Sequence, residues 1–221
     1  MIEAIQKHYQ LADKEIGSIV TPGEARHIYT IVKNNNFKTT LEIGFGLGFS
    51  ASHIIAATNS LHVAIDPFQK NRFENDGIAI FSQLGIIDKL QLITDYSHFA
   101  LPQLLQERRR FDFIFIDGDH KFDSVFVDFH YCEKLLNPGG IIVFHDAWMR
   151  SVSSIKSYIK NNRPDFQILH SPEKRLLVIK KIGEDSRSWL DFKSFRNSLP
   201  AVIAHTITKW KWSKRMKKTQ K

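Results

Sequence analysis

Glu42-Ile43-Gly44-Phe45-Gly46-Leu47-Gly48-Phe49-Ser50 joins a short apolar run to a segment of helical spacing. Three glycines at alternate positions let the backbone turn sharply and come close to a ligand. The run that leads in, Thr40-Leu41-Glu42-Ile43, reads as a strand, and residues 49–58 read as a helix. Ser50 stands near the start of that helix, where free N–H groups favour polar or anionic ligands. A merely flexible loop has the same composition, so the flanking sequence has to decide.

Outward from this turn the same unit recurs. Leu61-His62-Val63-Ala64-Ile65, Leu90-Gln91-Leu92-Ile93, Phe111-Asp112-Phe113-Ile114-Phe115-Ile116 and Ile141-Ile142-Val143-Phe144 read as four further strands. Helical spacing over 71–85, 98–107, 121–136 and about 151–162 separates or follows them, and Pro138-Gly139-Gly140 turns the chain into the fifth strand. Upstream, Thr21-Pro22-Gly23-Glu24 carries a capping residue, a first-turn proline and a capping-box acid. A helix through Ile28, Ile31 and Val32 follows, ending at Asn34-Asn35-Asn36. Downstream, Phe166-Gln167-Ile168-Leu169, a turn at Ser171-Pro172-Glu173-Lys174 and Leu176-Leu177-Val178-Ile179 read as a hairpin closing the sheet. The expected fold class is α/β: a Rossmann-like, doubly wound, mostly parallel seven-stranded sheet with a C-terminal antiparallel hairpin. Ligands of such sheets bind beyond the carboxyl ends of the strands, where strand order reverses.

The second strand ends in Asp66, 22 residues after Gly44. A carboxylate there can accept two hydrogen bonds from a ribose diol; a surface turn before Pro67 is the structural alternative. A dinucleotide suits this geometry, but its fingerprint is G-x-G-x-x-G and the spacing here is G-x-G-x-G. Glu42 repels a pyrophosphate and suits a cationic amino-acid end, which points to S-adenosylmethionine.

These residues resemble motif I of the class I S-adenosylmethionine-dependent methyltransferases, from Glu42 through Gly44, Gly46 and Gly48. Asp66 falls where that superfamily places its ribose-binding acid. Asp95-Tyr96-Ser97, followed by Leu101-Pro102, is similar to the segment that lines the adenine, which implies Tyr96 and Ser97 there. The resemblance spans about residues 20–180.

The fourth strand runs into Asp117-Gly118-Asp119-His120-Lys121 and the fifth into His145-Asp146-Ala147-Trp148. Adjacent strands bring Asp117, His145 and Asp146 together at one edge of the cofactor pocket. Oxygen and imidazole donors suit a divalent ion, which can lower the pKa of an acceptor hydroxyl. His120 can take the acceptor's proton, with Lys121 and His145 as rivals. Asp117 and Asp119 can equally cap the helix at 121–136. These segments resemble the catechol and caffeoyl-CoA type O-methyltransferases and their bacterial relatives. That resemblance implies a metal-binding and catalytic Asp117 that also borders the cofactor, with His145 and Asp146 in the place of an Asp-Asn metal pair. It puts His120 where the family has a lysine base. Ile-Asp-Gly-Asp-His with a later His-Asp-x-Trp is similar to a bacterial branch.

The net charge of +8 sits at one end. Residues 181–221 hold eleven Lys/Arg against three Asp/Glu, while residues 1–180 hold twenty of each sign. Two regions follow: a methyltransferase domain at 1–182 and a basic, partly helical extension at 183–221. In the extension a helix starts at Leu199, with Val202, Ile203, Ile207 and Trp210 to one side, and Trp212 and six Lys/Arg beyond Trp210. Such an end suits peripheral contact with an anionic membrane, a nucleic acid met by phosphate contact and aromatic stacking, or simple docking on the domain with a frayed lysine end. A neutral domain argues against a nucleic-acid track. The amino-directed Asn/Asp-Pro-Pro-Tyr/Phe tetrad is absent after strand four. Met1 to His8 contains no long apolar run, and a lone Cys132 cannot form an internal disulfide, so a cytoplasmic location is expected. The expected reaction is methyl transfer to a hydroxyl of a small-molecule or glycan-type acceptor, with homo-oligomers compatible with the sequence. A nicotinamide-dependent oxidoreductase and a non-catalytic cofactor-binding scaffold are the alternatives.

Overall fold

A computed structural model describes Ile5, Tyr9, residues 20–197 and residues 199–219. Apart from Ile5, the start Met1 to His8 lies outside the described residues, as do the side chains from Trp212 on. The elements run α1 (Pro22–Asn34), β1 (Thr40–Ile43), α2 (Phe49–Thr58), β2 (His62–Ile65), α3 (Asp76–Gln83) and β3 (Leu90–Ile93). They continue through α4 (Ser97–Gln106), β4 (Phe111–Ile116), α5 (Phe122–Leu135), β5 (Leu136–Phe144), α6 (Arg150–Asn162), β6 (Phe166–Leu169), β7 (Leu177–Lys181) and α7 (Leu199–Thr219).

Seven strands form one sheet in the order β3-β2-β1-β4-β5-β7-β6. The first five are parallel, and β7 runs antiparallel to both β5 and β6. This is the expected Rossmann-like sheet. Strand order reverses between β1 and β4, so the crevice for a ligand opens at their carboxyl ends.

Alternation along the strands divides the core into two layers. Phe113, Phe115 and Val143 pack on one face with Ala25, Ile28 and Val32 of α1 and Ile54 of α2. Ile114, Ile116 and Phe144 pack on the other with Leu101 of α4, Phe129 of α5 and Ile155 of α6. Both faces are covered, which explains why β4 reads as a continuous apolar run.

Three boundaries differ from expectation. Helix was expected over 71–85, but only Asp76–Gln83 is helical. Residues 68–75 instead fold back on themselves, with Arg72 and Phe73 N–H bonding the Phe68 carbonyl and Asn75 N–H bonding that of Gln69. Glu74 and Asn75 take positive φ there, which ends any helix. The fifth strand was expected from Ile141, but pairing with β4 already begins at Leu136 opposite Phe111. The register shifts between Phe111 and Phe113, so Pro138-Gly139-Gly140 forms an irregularity within the strand. The hairpin strand β7 also extends two residues further than expected, to Lys181.

Phe113 is fully buried, whereas Phe122 is 43% exposed. Phe113→Ala is expected to cost about 3–5 kcal/mol in urea unfolding, and Phe122→Ala about 0.5 kcal/mol or less. Equal losses would contradict the assignment of the core.

Candidate active site

The glycine turn is built against the backbone of β4. Gly44 has φ 91°, and a β-carbon there would lie 2.2 Å from the Asp117 carbonyl oxygen. Any larger residue forces the two chain segments apart. Gly48 has φ 81°, and its β-carbon would meet the Phe81 ring at 2.4 Å. Residues 44–48 thus hug the sheet edge and lead into α2. On the outer side Tyr9 donates its hydroxyl to the Leu47 carbonyl at 2.6 Å, and its ring meets Phe49 edge-on at 4.8 Å.

Asp66 lies at the end of β2 facing this turn. Its Oδ2 accepts from Gly46 N–H at 2.7 Å and from Gln69 Nε2 at 3.2 Å, and its Oδ1 accepts from Phe68 N–H at 2.8 Å. Sequence reasoning found Asp66 but missed Phe68 and Gln69, which carry no motif. Phe68 meets Tyr96 edge-on at 6.0 Å, and both rings are half exposed, so they wall the crevice beyond β2 and β3. Ser97 opens α4 and hydrogen-bonds the buried Asp128 of α5; burial outweighs that bond and pushes Asp128 up to about 6.

Glu42 is placed differently from the expectation that it meets the cofactor's cationic end. It is fully buried under the turn. One oxygen accepts the Ser50 hydroxyl, and the other faces His62 Nε2 at 3.3 Å. Burial raises its pKa, with the His62 and Ser50 hydrogen bonds acting against it. Both oxygens are engaged within the protein, so Glu42 holds Ser50 and the turn from behind. The strand position explains this: a residue within a doubly covered sheet points into a layer, not at the sheet's edge.

The strand-four and strand-five residues do come together. Phe144 pairs with Ile116, so the segments that follow diverge from one point. His145 Nδ1 lies 2.9 Å from Asp117 Oδ1. His120 Nε2 lies 3.4 Å from Asp117 Oδ1 and 3.4 Å from Asp146 Oδ2. His120 is partly exposed (27%), while His145 is sealed (1%). Lys121 points away to Asp119 and is open to solvent. Asp119 also accepts from Lys121 N–H and the Ser124 hydroxyl, so Asp119 braces the start of α5 and Asp117 does not.

Two residues of this site were not expected. Glu24 closes the capping box of α1 with Thr21, and the same Oε2 faces His145 Nε2 at 3.3 Å. Arg175, from the turn between β6 and β7, donates Nε and Nη2 to Asp146 Oδ1 at 3.0 and 2.7 Å and has Nε 3.5 Å from Glu24. Trp148 Nε1 donates to the same oxygen at 2.8 Å. These bonds hold Asp146 in a left-handed conformation, φ 51°, that a non-glycine residue seldom takes. The Thr21-x-x-Glu24 motif signalled Glu24 only as a cap, and nothing in the sequence singled out Arg175.

The charges shift accordingly. Burial opposes ionisation of Asp117, but hydrogen bonds from His120 and His145 outweigh it and lower its pKa. His120 is raised, with burial overcome by the Asp117 bond and by the charges of Asp117 and Asp146. Burial alone would lower His145, yet bonds to Asp117 and Glu24 and the nearby carboxylates lift it to about 9. Burial is likewise overcome at Glu24, chiefly by the His145 bond, which brings it down to about 2. Among the described residues, Asp117, His120 and His145 also offer donor atoms within 4.8 Å of one another, the spacing of a metal group. Asp146, expected as a further ligand, is not in that group, although its Oδ2 lies 3.4 Å from His120 Nε2; Arg175 and Trp148 hold its other oxygen.

Residues 41–147 match the family profile of a methyltransferase domain. The chain is 28% identical over 166 residues to a protein of Arabidopsis thaliana named for caffeoyl-CoA O-methyltransferase, covering 74% of this chain and 68% of that one. It is 28% identical over 155 residues to the caffeoyl-CoA O-methyltransferase of Populus kitakamiensis, covering 66% and 63%. The chain therefore spans about two thirds of these relatives' length. In fold it superposes on the O-methyltransferase from Bacillus cereus, solved with S-adenosylhomocysteine, with TM-score 0.66 at 18% identity over 82% of this chain and 90% of that one.

The clamp on His145 links pH to stability. His145 is raised from 6.5 to about 9, so its contribution is full below 6.5 and lost as pH rises through about 9. Glu24 is depressed from 4.5 to about 2, so its contribution is present above 4.5 and lost as pH falls toward 2. The melting temperature is expected to fall between pH 6.5 and 9, and His145→Gln is expected to flatten that slope. An unchanged slope in the variant would contradict the clamp.

Proposed function

We propose that the chain is a class I S-adenosylmethionine-dependent O-methyltransferase that methylates a hydroxyl of a small metabolite or glycan precursor; the methyltransferase-domain match over residues 41–147 and the caffeoyl-CoA O-methyltransferase relatives support this reading. One observation carries the reading. The glycine turn and the acid–base cluster share one edge, since Gly44 packs directly on the Asp117 backbone. In this reading a methyl donor held by the turn and Asp66 lies toward His120, because Asp117 contacts both Gly44 through its backbone and His120 through its side chain.

In the proposed reaction S-adenosylmethionine sits on residues 44–50. Asp66 holds the ribose, and Phe68, Tyr96 and Ser97 border the adenine. Glu42 acts through Ser50 and the turn. The acceptor hydroxyl enters beside His120, the partly exposed member of the cluster. Neutral His120 takes its proton as the oxygen attacks the methyl carbon in line with the sulfonium leaving group. An O–CH3 bond forms, the S–CH3 bond breaks, and S-adenosylhomocysteine leaves. Asp117 and Asp146 stabilise the imidazolium that forms on His120, much as a carboxylate supports a histidine base in hydrolases. His145 is a fixed cation at neutral pH, held between Asp117 and Glu24, and so is a positioning residue and not the base. The curated relatives named for caffeoyl-CoA methylation support a small-molecule acceptor.

A second reading adds a divalent ion, favoured by the clustering of donors on Asp117, His120 and His145. When bound there, an ion would lower the acceptor's pKa. Against it, His145 already spans two carboxylates and Arg175 supplies positive charge at Asp146. No step above depends on the ion.

His120→Gln is expected to lower kcat by about 100- to 10,000-fold on a panel of catechol and sugar hydroxyls, with S-adenosylhomocysteine affinity unchanged. Turnover by the wild type is expected to rise as pH passes above the ordinary histidine value, because the base acts only when neutral and its pKa is raised. It is also expected to survive exhaustive chelation. Loss on chelation with recovery in magnesium would favour the second reading. Full activity of His120→Gln would remove His120 as the base. Tight cofactor binding without turnover would leave the scaffold alternative.

A further inference from the structure

The extension after residue 182 is fastened along α6 in a definite direction. Lys193 exchanges two hydrogen bonds with the Asn162 side chain, at 2.7 and 2.8 Å. Arg196 N–H then reaches Ser157, Asn197 reaches Ser154, and His205 Nδ1 accepts from Arg150 N–H at 3.4 Å. The segment therefore runs from the carboxyl end of α6 to its amino end. That amino end follows directly on His145, Asp146 and Trp148. From His205, α7 continues for fourteen residues to Thr219, about 21 Å at 1.5 Å per residue. Its path along α6 directs this remainder toward the amino end of that helix.

This helix is apolar on its outer side and cationic along its length. Leu199, Ile203, Ile207 and Trp210 are each about half exposed or more. At ~100° per residue they fall within roughly 80° of arc, on the side away from His205. Val202, expected with them, is half-buried on the inner side. Lys209 and Lys211 are exposed and flank the stripe. Trp189, Leu190 and Phe192 are exposed in the segment leading in. After Asp191 the sequence contains nine Lys/Arg and no acid.

We propose that α7 is a peripheral anchor for an anionic lipid bilayer, which holds the methyl-transfer edge toward acceptors carried at that surface. The charge selects the occupant. A run with no acidic residue repels a second copy of itself and attracts an anionic surface, at about 1 kcal/mol or roughly fivefold per basic residue. The aliphatic stripe fits a bilayer's acyl boundary. Three of its four members are aliphatic and only Trp210 could stack on a base, and the neutral domain offers no phosphate track to a nucleic acid. The anchoring itself does not depend on the reaction; the statement about acceptors rests on the methyltransferase reading.

The test uses the full chain with vesicles of phosphatidylcholine, with and without phosphatidylglycerol. Wild type is expected to pellet with the anionic vesicles only, and to be released by high salt. Lys209→Glu with Lys211→Glu, and separately Ile203→Asp with Ile207→Asp, are each expected to lower partitioning by about tenfold or more. Calorimetric binding of S-adenosylhomocysteine by both variants should match wild type; its absence from all three proteins would count against the methyltransferase reading and leave the anchor standing. Hydrogen exchange on anionic vesicles should protect Trp148–Arg150 and α7, and leave the Asn137–Gly140 end unchanged. Failure to bind vesicles, equal binding to neutral ones, variants that bind like wild type, or preference for RNA or DNA over vesicles would each overturn the anchor. Protection at Asn137–Gly140 instead would overturn its orientation.

Discussion

The close approach of Gly44 to the Asp117 backbone sets the geometry on which the rest depends. A parallel sheet that reverses its winding between β1 and β4 leaves a crevice at their carboxyl ends. The missing side chain at Gly44 makes that crevice shallow enough for the cofactor turn and the β4 residues to share it. In the proposed reaction, cofactor binding and proton transfer are thus joined by main chain, the least adjustable part of the protein. Two apolar layers then fix the strands.

Around that contact, ionisable side chains from four parts of the chain close on one another. Glu24 comes from the first turn of α1, Asp117 and His120 from beyond β4, His145 and Asp146 from beyond β5, and Arg175 from the turn before β7. Three carboxylates so close together would repel strongly if left alone. Arg175 and the charged His145 compensate two of them, and His120 is left at the open side between Asp117 and Asp146. This division separates a sealed histidine, His145, from an accessible one, His120, which the proposed reaction uses as its base. Residue type alone does not make that distinction; exposure and hydrogen-bond partners do.

The strands and the cofactor turn were legible because their signals are local. A buried parallel strand must be apolar, and a turn against backbone must be glycine. The 71–85 segment misled because its apolar spacing suits a helix, while its first half is bound into a turn below Asp66. β5 was shortened because Pro138-Gly139-Gly140 is breaker chemistry, which the sheet absorbs as an irregularity. Glu42 was placed at the cofactor from its position beside the glycines, but the pleat directs it into a layer with His62 and Ser50. Glu24 and Arg175 were out of reach of the sequence for another reason. Their roles arise only when the first helix and the last hairpin close on the same strand ends. Glu24 serves both its own helix and His145, and its local role masked the distant one.

The central claim is that the glycine turn and Asp66 hold S-adenosylmethionine. Calorimetric titration with S-adenosylhomocysteine of the wild type and of Asp66→Ala tests it most directly. The account predicts saturable binding by wild type, weakened by about tenfold or more when the charged hydrogen-bond acceptor is lost. No binding by wild type, or equal binding by the variant, would contradict it.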